Sequence, residues 1–406
     1  DAGIVSRFMD DATTPNLTSI WEEFWVLIDR CNAIIDQIDN GTFNDKDYRS
    51  YYKGEAYFLR GYAYFQLGWL YGGMPLIGRQ TKVSEIKTTA RSTQEATFDF
   101  AANDLAQAAQ LLPEEWPSAE TGKATKYAAK GILARLYLFQ KKYSNAKTLL
   151  AEIISSGRYQ MATNYVDCFL DSYDNSTEHL FQIQFTSGNG EGNSIPNSTA
   201  PDGIATGYPL RGSPQVLLVS NDLYDSFENG DLRRNISIQK GYTKNTGQVD
   251  SLTCFYVKYA HGTLSSSSDG DDVNLPILRY TDVKLMYAEV LNEENYSSSG
   301  EAFTIINQVR SRAGLPALTS AIVPNKEAFR SAIFRERRSE FACEYLRWFD
   351  LVRSGNALSI MNAFLGSPSQ GNGQYKMNDY QTIFAIPQDE LNNNPDTRYM
   401  WQNPGY

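Results

Sequence analysis

The side chains that most often act in catalysis are sparse in this sequence. Among its 406 residues there are two histidines, His179 and His261, and both have the polar neighbours that are typical of loops. No serine lies in the G-x-S-x-G pattern of an exposed nucleophile, and no H-E-x-x-H motif is present to hold zinc. We expect both histidines to be solvated loop residues, and the sequence predicts a protein that is not an enzyme.

Acidic side chains could support two other kinds of chemistry. Asp269, Asp271, Asp272 and Asn274 form a cluster behind four serines, and oxygen atoms at this spacing could hold Ca²⁺. A solvated acidic loop explains the cluster more simply, so we expect no cofactor. The 47 acidic residues also leave a glycoside hydrolase with paired carboxylates as an alternative function, although no pair stands out.

Aromatic side chains near loops point to a binding function. Trp21, Trp25 and Trp116 lie near helix starts or loops, and Tyr208 shares a long central loop with Arg211. Carbohydrates stack their apolar C–H faces on flat rings, while Asn, Asp and Arg side chains reach their hydroxyl groups. Each ring alone is explained by packing. In a tyrosine-rich, acidic chain without catalytic motifs, the rings together indicate glycan binding.

Composition restricts the partners of the chain. The net charge of −10 comes from 37 basic and 47 acidic side chains, which argues against nucleic acid and against direct docking on anionic lipid. No run of 18 apolar residues is present, so the sequence predicts no membrane span. The four cysteines are far apart and lack C-x-x-C spacing, so we expect isolated buried thiols.

The stretch 54–79 contains the strongest structural pattern. Gly54, Gly61 and Gly68 recur every seven residues, and residues seven apart lie on one face of an α-helix. Each glycine inside a helix costs about 1 kcal/mol relative to alanine, which is offset if another helix backbone approaches closely. The sequence therefore predicts a buried helix over residues 45–71 with a neighbouring helix packed on its glycine stripe.

Other segments carry helix signals of their own. Ser19 and Ser92 each precede a glutamate by three residues, which predicts a helix N-cap at both serines. Residues 213–229 are expected to form a helix. The run 325–356 is expected to form helix as well, and its interleaved charges predict a helix face laced with ion pairs rather than a nucleic-acid site.

Helix pairs recur along the chain with the spacing of tetratricopeptide hairpins. Small and large apolar residues alternate over residues 133–150, and the pattern returns over residues 287–306. We therefore predict a mainly α fold, a tetratricopeptide-like array of helical hairpins with an irregular loop-rich insertion that contains a few short strands. The predicted segments are N-terminal hairpins at 1–160, the insertion at 161–275, returning hairpins at 276–355 and a loop-rich tail at 356–406.

Six stretches, in this order, resemble the SusD/RagB family of surface glycan-binding lipoproteins in Bacteroidetes. The resemblance runs from about residue 21 to 395 and rests on AYFLRGYAYFQLGWLYGGMPL, TGKATKYAAKGILARLYLF, LRYTDVKLMYAEVLNE, INQVRSRAGLP, RRSEFACEYLRWFDLVRSG and FAIPQDELNNNP. It implies an α/α superhelix on the outer surface of the outer membrane. It also implies capture of an oligosaccharide or starch-like polysaccharide and its transfer to a SusC-like TonB-dependent transporter. The family's signal peptide and lipid-bearing cysteine are not in this sequence, so contact with the membrane is expected only through an anchor outside it.

The family's ligand residues lie in variable loops, just before the first helix pair and in the middle insertion. Matching those regions by location points to Asn16, Trp21, Tyr208 and Arg211 as the ligand-binding residues. Three alternatives remain at this point: the same lid role with a peptide ligand, a glycoside hydrolase, and a cytosolic tetratricopeptide scaffold.

Overall fold

The computed structural model describes residues 2–42, 45–205, 218–263, 270–370 and 372–406. It divides into two compact units, the first made of residues 1–116, 123–140 and 351–406 and the second of residues 117–122 and 141–350. Helices dominate both units, which confirms the predicted mainly α class. The four-segment division of the sequence stays a prediction.

The elements are as follows. The helices are α1 (Ala2–Ser6), α2 (Pro15–Asn40), α3 (Lys46–Tyr71), α4 (Val83–Ile86), α5 (Gln94–Leu111), α6 (Lys126–Phe139), α7 (Tyr143–Ser155), α8 (Ile195–Thr199), α9 (Asn221–Asp225), α10 (Arg233–Ser237), α11 (Tyr280–Glu294), α12 (Glu301–Arg312), α13 (Lys326–Glu340), α14 (Arg347–Ser354), α15 (Ala357–Leu365) and α16 (Gln388–Asn393). The strands are β1 (His179–Ile183), β2 (Leu218–Val219), β3 (Ile238–Thr243), β4 (Val249–Tyr256) and β5 (Leu275–Arg279).

The glycine stripe of α3 packs against α5, as the sequence predicts. A Cβ atom on Gly61 would lie 3.0 Å from the Ala101 carbonyl oxygen and 2.9 Å from Leu105 Cγ. On Gly68 it would lie 2.8 Å from Phe98, and on Gly54 it would lie 3.0 Å from a leucine side chain. The three glycines therefore permit a helix contact that any larger side chain would push apart.

Two predicted helix starts are wrong by a few residues. Helix α2 begins at Pro15, four residues before Ser19, because proline at a first helical position has its φ already set. Helix α5 is capped by Thr93 rather than Ser92, and the Thr93 hydroxyl accepts a hydrogen bond from the Ala96 amide. The predicted start of α3 is correct, since the Asp45 carboxylate accepts bonds from two amides of its first turn.

The second unit combines helices with two small antiparallel sheets in its described part. Helix α11 packs against α7, α12 and α13. Strand β1 pairs with β5, and β4 lies between β2 and β3. The predicted helix at 213–229 is wrong where it is described, because Leu218–Val219 is a strand and only Asn221–Asp225 is helical.

Residues 325–356 form ion pairs, as the sequence predicts, and many of these pairs are buried. Glu336, Arg337, Glu340 and Asp350 are at most 3% exposed, whereas Glu327 and Arg335 are exposed. Arg279 lies at the centre and donates hydrogen bonds to Glu178 at 2.9 Å, Glu340 at 3.0 Å and Glu344 at 2.8 Å. Lys258 also donates to Glu344, at 2.5 Å. All five side chains are at least nine-tenths buried, and burial is tolerated because each charge has opposite charges beside it.

The predicted helical run at 325–356 is interrupted in the middle. Helix α13 ends at Glu340 and α14 starts at Arg347. Between them Cys343 and Tyr345 have φ values of 66° and 62°, in the left-handed region that cannot continue a helix. This turn brings the intervening Glu344 to Arg279 and Lys258.

The reactive side chains are mostly buried. All four cysteines are free thiols inside the protein, as predicted. His179 is not a solvated loop residue, because it lies in β1 with 7% of its surface exposed and its Nε2 is 3.1 Å from the Cys168 carbonyl oxygen. Burial and the Arg279 charge lower the pKa of His179 to about 4. Every described helix is too short or too polar to cross a bilayer.

Candidate functional site

A groove of about 810 Å³ opens on the surface of the first unit. Its walls come from three separate parts of the sequence: one face of α2, residues 75–87, and residues 390–400 of the C-terminal segment. A volume of this size matches the small-molecule and oligosaccharide sites of proteins. We take this groove as the candidate functional site.

Two tryptophans of α2 line the groove one helical turn apart. Trp21 is 1% exposed and packs edge-on against Tyr71, with ring centroids 5.3 Å apart. Trp25 is half-buried, lies 5.9 Å from the Trp21 ring and packs edge-on against Tyr64 at 6.0 Å. Trp21 is therefore a fixed part of the wall, whereas part of Trp25 remains accessible from the groove.

A buried polar network fixes the second wall against α2. Asn32, which lines the groove, donates a hydrogen bond from Nδ2 to the Ile77 carbonyl at 3.1 Å. Its Oδ1 accepts a bond from Arg60 at 2.6 Å. Arg60 in turn donates to both carboxylate oxygens of Asp104 at 2.7 and 2.8 Å. These bonds hold the chain after α3 in one position beside the helix.

The outer edge of the groove is apolar. Val26, Val83 and Ile86 all line it and are 44%, 69% and 39% exposed. The short helix α4 that carries Val83 and Ile86 is attached to the C-terminal segment, because the Asn394 amide donates to the Lys87 carbonyl at 2.9 Å. The groove thus exposes aliphatic surface beside indole rings.

The charged groups of the groove are mainly acidic. The acidic side chains that line it are Glu22, Glu23, Asp29 and Glu390. The one basic side chain in its described lining is Lys87. Burial and the neighbouring Glu22 raise the pKa of Glu390, and the approaching Trp21 indole N–H offsets part of that rise.

Two indole N–H groups of the groove wall are buried. The Nε1–H groups of Trp21 and Trp25 make no hydrogen bond within the described ranges, and both nitrogen atoms are closed to solvent. A buried N–H group without a partner costs about 1–3 kcal/mol. Because these atoms are closed to solvent, it is the ring faces and edges that the groove offers to a ligand.

The four predicted ligand residues have different outcomes. Trp21 lies in the wall of the groove, whereas Asn16 is exposed in the first turn of α2 and does not line it. Tyr208 and Arg211 lie outside the described residues. The ligand role of these residues therefore stays a prediction. Trp116, also considered for stacking, is packed, with 8% of its surface exposed and its N–H bonded to the Ala124 carbonyl at 2.8 Å.

Several groove residues have no signal in the sequence that marks them for a site. Glu390 and Asn394 belong to the stretch FAIPQDELNNNP, which identifies the family but says nothing about a ligand. Val83 and Ile86 lie in an unremarkable polar linker. Their proximity to α2 depends on the fold. Trp25, in contrast, is among the candidate rings that the sequence indicates, and its i, i+4 spacing places it on the same helix face as Trp21.

The acidic cluster considered for calcium gives no metal site in the described part of the chain. Asp269 lies outside that part. Asp271 is 2% exposed and its backbone pairs with Asn193, while Asp272 accepts a hydrogen bond from the Ser187 amide at 2.7 Å. Among the described residues no group of three or more His, Cys, Asp or Glu side chains could hold a metal ion. The expectation of no cofactor stays a prediction.

Family models cover most of the chain. The model described as "SusD family" matches residues 228–406, and the model described as "Starch-binding associating with outer membrane" matches residues 5–138. The chain belongs to the SusD/RagB family, which confirms the resemblance seen in its six motifs.

Individual relatives agree with this assignment. A SusD-like protein of Bacteroides ovatus is 28% identical over 379 residues, covering 85% of this chain and 67% of that protein. The SusD-like protein P38 of Formosa agariphila is 26% identical, covering 85% of this chain and 74% of its own length. A solved structure described as a laminarin binding SusD-like protein is 26% identical and superposes with a TM-score of 0.79, covering 98% of this chain and 88% of the other.

Proposed function

We propose that this protein binds an oligosaccharide in the groove beside Trp21 and Trp25, without catalysis, at the outer membrane. Membership of the SusD family supports carbohydrate binding, as does the similarity to a laminarin binding SusD-like protein. The description of the model that matches residues 5–138 supports association with the outer membrane.

The observation that carries the proposal is the half-buried Trp25 ring, which lines the groove beside exposed aliphatic side chains. A sugar ring has an apolar face of C–H bonds and an edge of hydroxyl groups. The apolar face fits the surface made by Trp25, Val83 and Ile86. Hydroxyl groups can in turn donate to the carboxylates of Glu22 and Glu390.

Calorimetric titration with a set of neutral polysaccharides, laminarin among them, tests this proposal. We expect one of them to bind, and Trp25→Ala to abolish binding. Trp25→Phe keeps the aromatic packing on Tyr64 but presents a smaller ring to the sugar, so it should weaken binding less than Trp25→Ala does. Tyr345→Ala changes an aromatic residue of the second unit that is 52% exposed, and it serves as the control that leaves affinity unchanged.

Thermal unfolding of each variant separates loss of binding from loss of fold. If the Trp25 variants melt like the parent protein and bind as tightly, the groove is not the site. If no neutral or charged glycan binds the parent protein, carbohydrate binding itself is contradicted.

The transfer of the bound sugar to a TonB-dependent transporter is the second part of the proposal, and family membership supports it. Co-purification with a SusC-like barrel expressed in the same cells tests the partnership. Release of reducing sugars from a bound polysaccharide would contradict a purely binding role.

A further inference from the structure

We propose that the groove selects uncharged glycans and rejects glycans that carry carboxylate or sulfate groups. This inference rests on the proposed function, because it assigns the ligand class of the same groove. It depends on the charges that the three walls bring together, since the acidic residues of α2 lie far in sequence from Glu390.

The groove concentrates negative charge from distant parts of the chain. Glu22, Glu23 and Asp29 come from α2, and Glu390 comes from α16. Lys87 supplies one positive charge at the α4 wall. The described lining therefore carries four acidic groups against one basic group, and its formal charge is −3.

Nearby basic side chains do not compensate for this charge. Arg79, just outside the groove, is paired with Glu85 at 2.9 Å. Arg30 lines a neighbouring depression, which shares Glu23 and Val26 with the groove. Neither arginine lines the groove, so Lys87 is the one cation that the described lining offers an acidic ligand to replace its hydration.

The groove carboxylates can accept hydrogen bonds from the hydroxyl groups of a neutral sugar. An ionised carboxylate accepts up to four hydrogen bonds and donates none, and sugar hydroxyls are donors. Asn32 and Asn394 already use their amide groups to hold the walls in place. Glu22 and Glu390 are among the acceptors that the lining offers to ligand hydroxyls, whereas a uronate or sulfate would place like charges side by side.

The test compares two ligands that share one backbone. A neutral oligoglucan that binds the parent protein is oxidised at its C6 hydroxyl groups to carboxylates, and both forms are titrated by calorimetry at low salt. We expect the carboxylated form to bind at least about tenfold more weakly than the neutral form. This gap in affinity should narrow as salt is added, because salt screens the repulsion between charges.

Substitutions of the groove carboxylates assign the effect to this site. The double variant Glu22→Gln/Glu390→Gln should reduce this gap, the difference in affinity between the two ligands, because it raises the affinity for the carboxylated form. The control Glu301→Gln/Glu327→Gln removes the same charge from exposed positions of the second unit and should leave the gap unchanged.

Failure of the inference and failure of the proposed function give different results. If the neutral ligand binds and Trp25→Ala abolishes its binding, but the carboxylated form binds as well, the charge selection is overturned and the groove remains the site. The charge selection is also overturned if the control variant narrows the gap as much as the groove variant does. If the parent protein binds neither form, the proposed function fails and this inference fails with it.

Discussion

Arg60 connects the walls of the groove to the interior of the first unit. It is 4% exposed, and its hydrogen bonds reach Asp104 on α5, Asn32 on α2 and the Gly78 carbonyl. Asp104→Ala would leave the guanidinium buried without its carboxylate, and we expect a loss of about 3–5 kcal/mol in the free energy of unfolding. Urea denaturation measures this loss.

An exposed ion pair provides the control for that substitution. Asp39 pairs with Lys53 at 2.5 Å and is 47% exposed, so Asp39→Ala should cost less than about 1 kcal/mol. Equal losses for Asp104→Ala and Asp39→Ala would show that burial of the Arg60 pair does not matter to stability.

Asp10 and Asp11 are neighbours with opposite pH behaviour. Burial raises the pKa of Asp10 above its usual 3.8, and no other described residue donates a hydrogen bond to its carboxylate. The folded protein therefore holds this proton more tightly, and stability falls as the pH rises from 3.8 through the folded pKa. We expect Asp10→Asn to raise the melting temperature at pH 7, with a gain that disappears as the pH falls towards 3.8.

Asp11→Asn provides the matched comparison. Hydrogen bonds from the Thr13 hydroxyl and amide at 2.7 and 2.8 Å lower the pKa of Asp11, so its contribution is present above 3.8 and is lost as the pH falls through the folded pKa. Asp11→Asn should lower the melting temperature at pH 7. If both substitutions shift the melting temperature in the same direction between pH 3 and pH 7, this assignment is contradicted.

Sequence reasoning at the residue scale succeeds where the cause is local. The free buried cysteines follow from their spacing alone. The burial of Glu340 and Glu344 could not be predicted, because their partners Lys258 and Arg279 lie more than sixty residues earlier and meet them only in the fold. An alternating charge pattern looks the same in sequence whether solvent or opposite charges surround it.

At the scale of elements, the contact between α3 and α5 tests the interpretation of the glycine stripe. In an open helix, Gly→Ala stabilises by about 0.5–1 kcal/mol. At Gly61 the new Cβ would meet the Ala101 carbonyl oxygen at 3.0 Å, so we expect Gly61→Ala to destabilise instead and Gly61→Leu to cost about 1–3 kcal/mol or more. Chemical denaturation gives both the sign and the size.

We also predict which of the two Gly61 substitutions lowers the free energy of unfolding more. Gly61→Leu should be worse than Gly61→Ala, because the larger side chain must displace more of α5. A stabilising Gly61→Ala, or an unchanged melting temperature for Gly61→Leu, would mean that the stripe does not need this close contact.

The elements also show where a helix boundary can be predicted. The start of α3 is correct because Asp45 satisfies two amides within three residues. The predicted start of α2 at Ser19 is wrong, because Pro15 has its φ already set for a helix and begins α2 four residues earlier. The break at Cys343 and Tyr345 is invisible in sequence, since neither residue type favours a left-handed φ.

At the scale of the whole molecule, the motifs identify the scaffold and not the ligand site. Six stretches were enough to name the SusD/RagB family, because helix packing repeats in a recognisable order. The groove joins α2, residues 75–87 and residues 390–400, and of the two predicted ligand residues that the structure describes, Trp21 lines it and Asn16 does not. Sites assembled from distant segments have no local pattern that a single sequence could reveal.

The most direct test is a crystal structure with a neutral oligoglucan that binds in solution. We predict sugar density in the groove, with one sugar ring packed against the Trp25 ring. Hydroxyl groups should donate to Glu22 or Glu390. An oligosaccharide bound elsewhere, for example beside Tyr208 and Arg211, with the groove empty of sugar, would contradict the account.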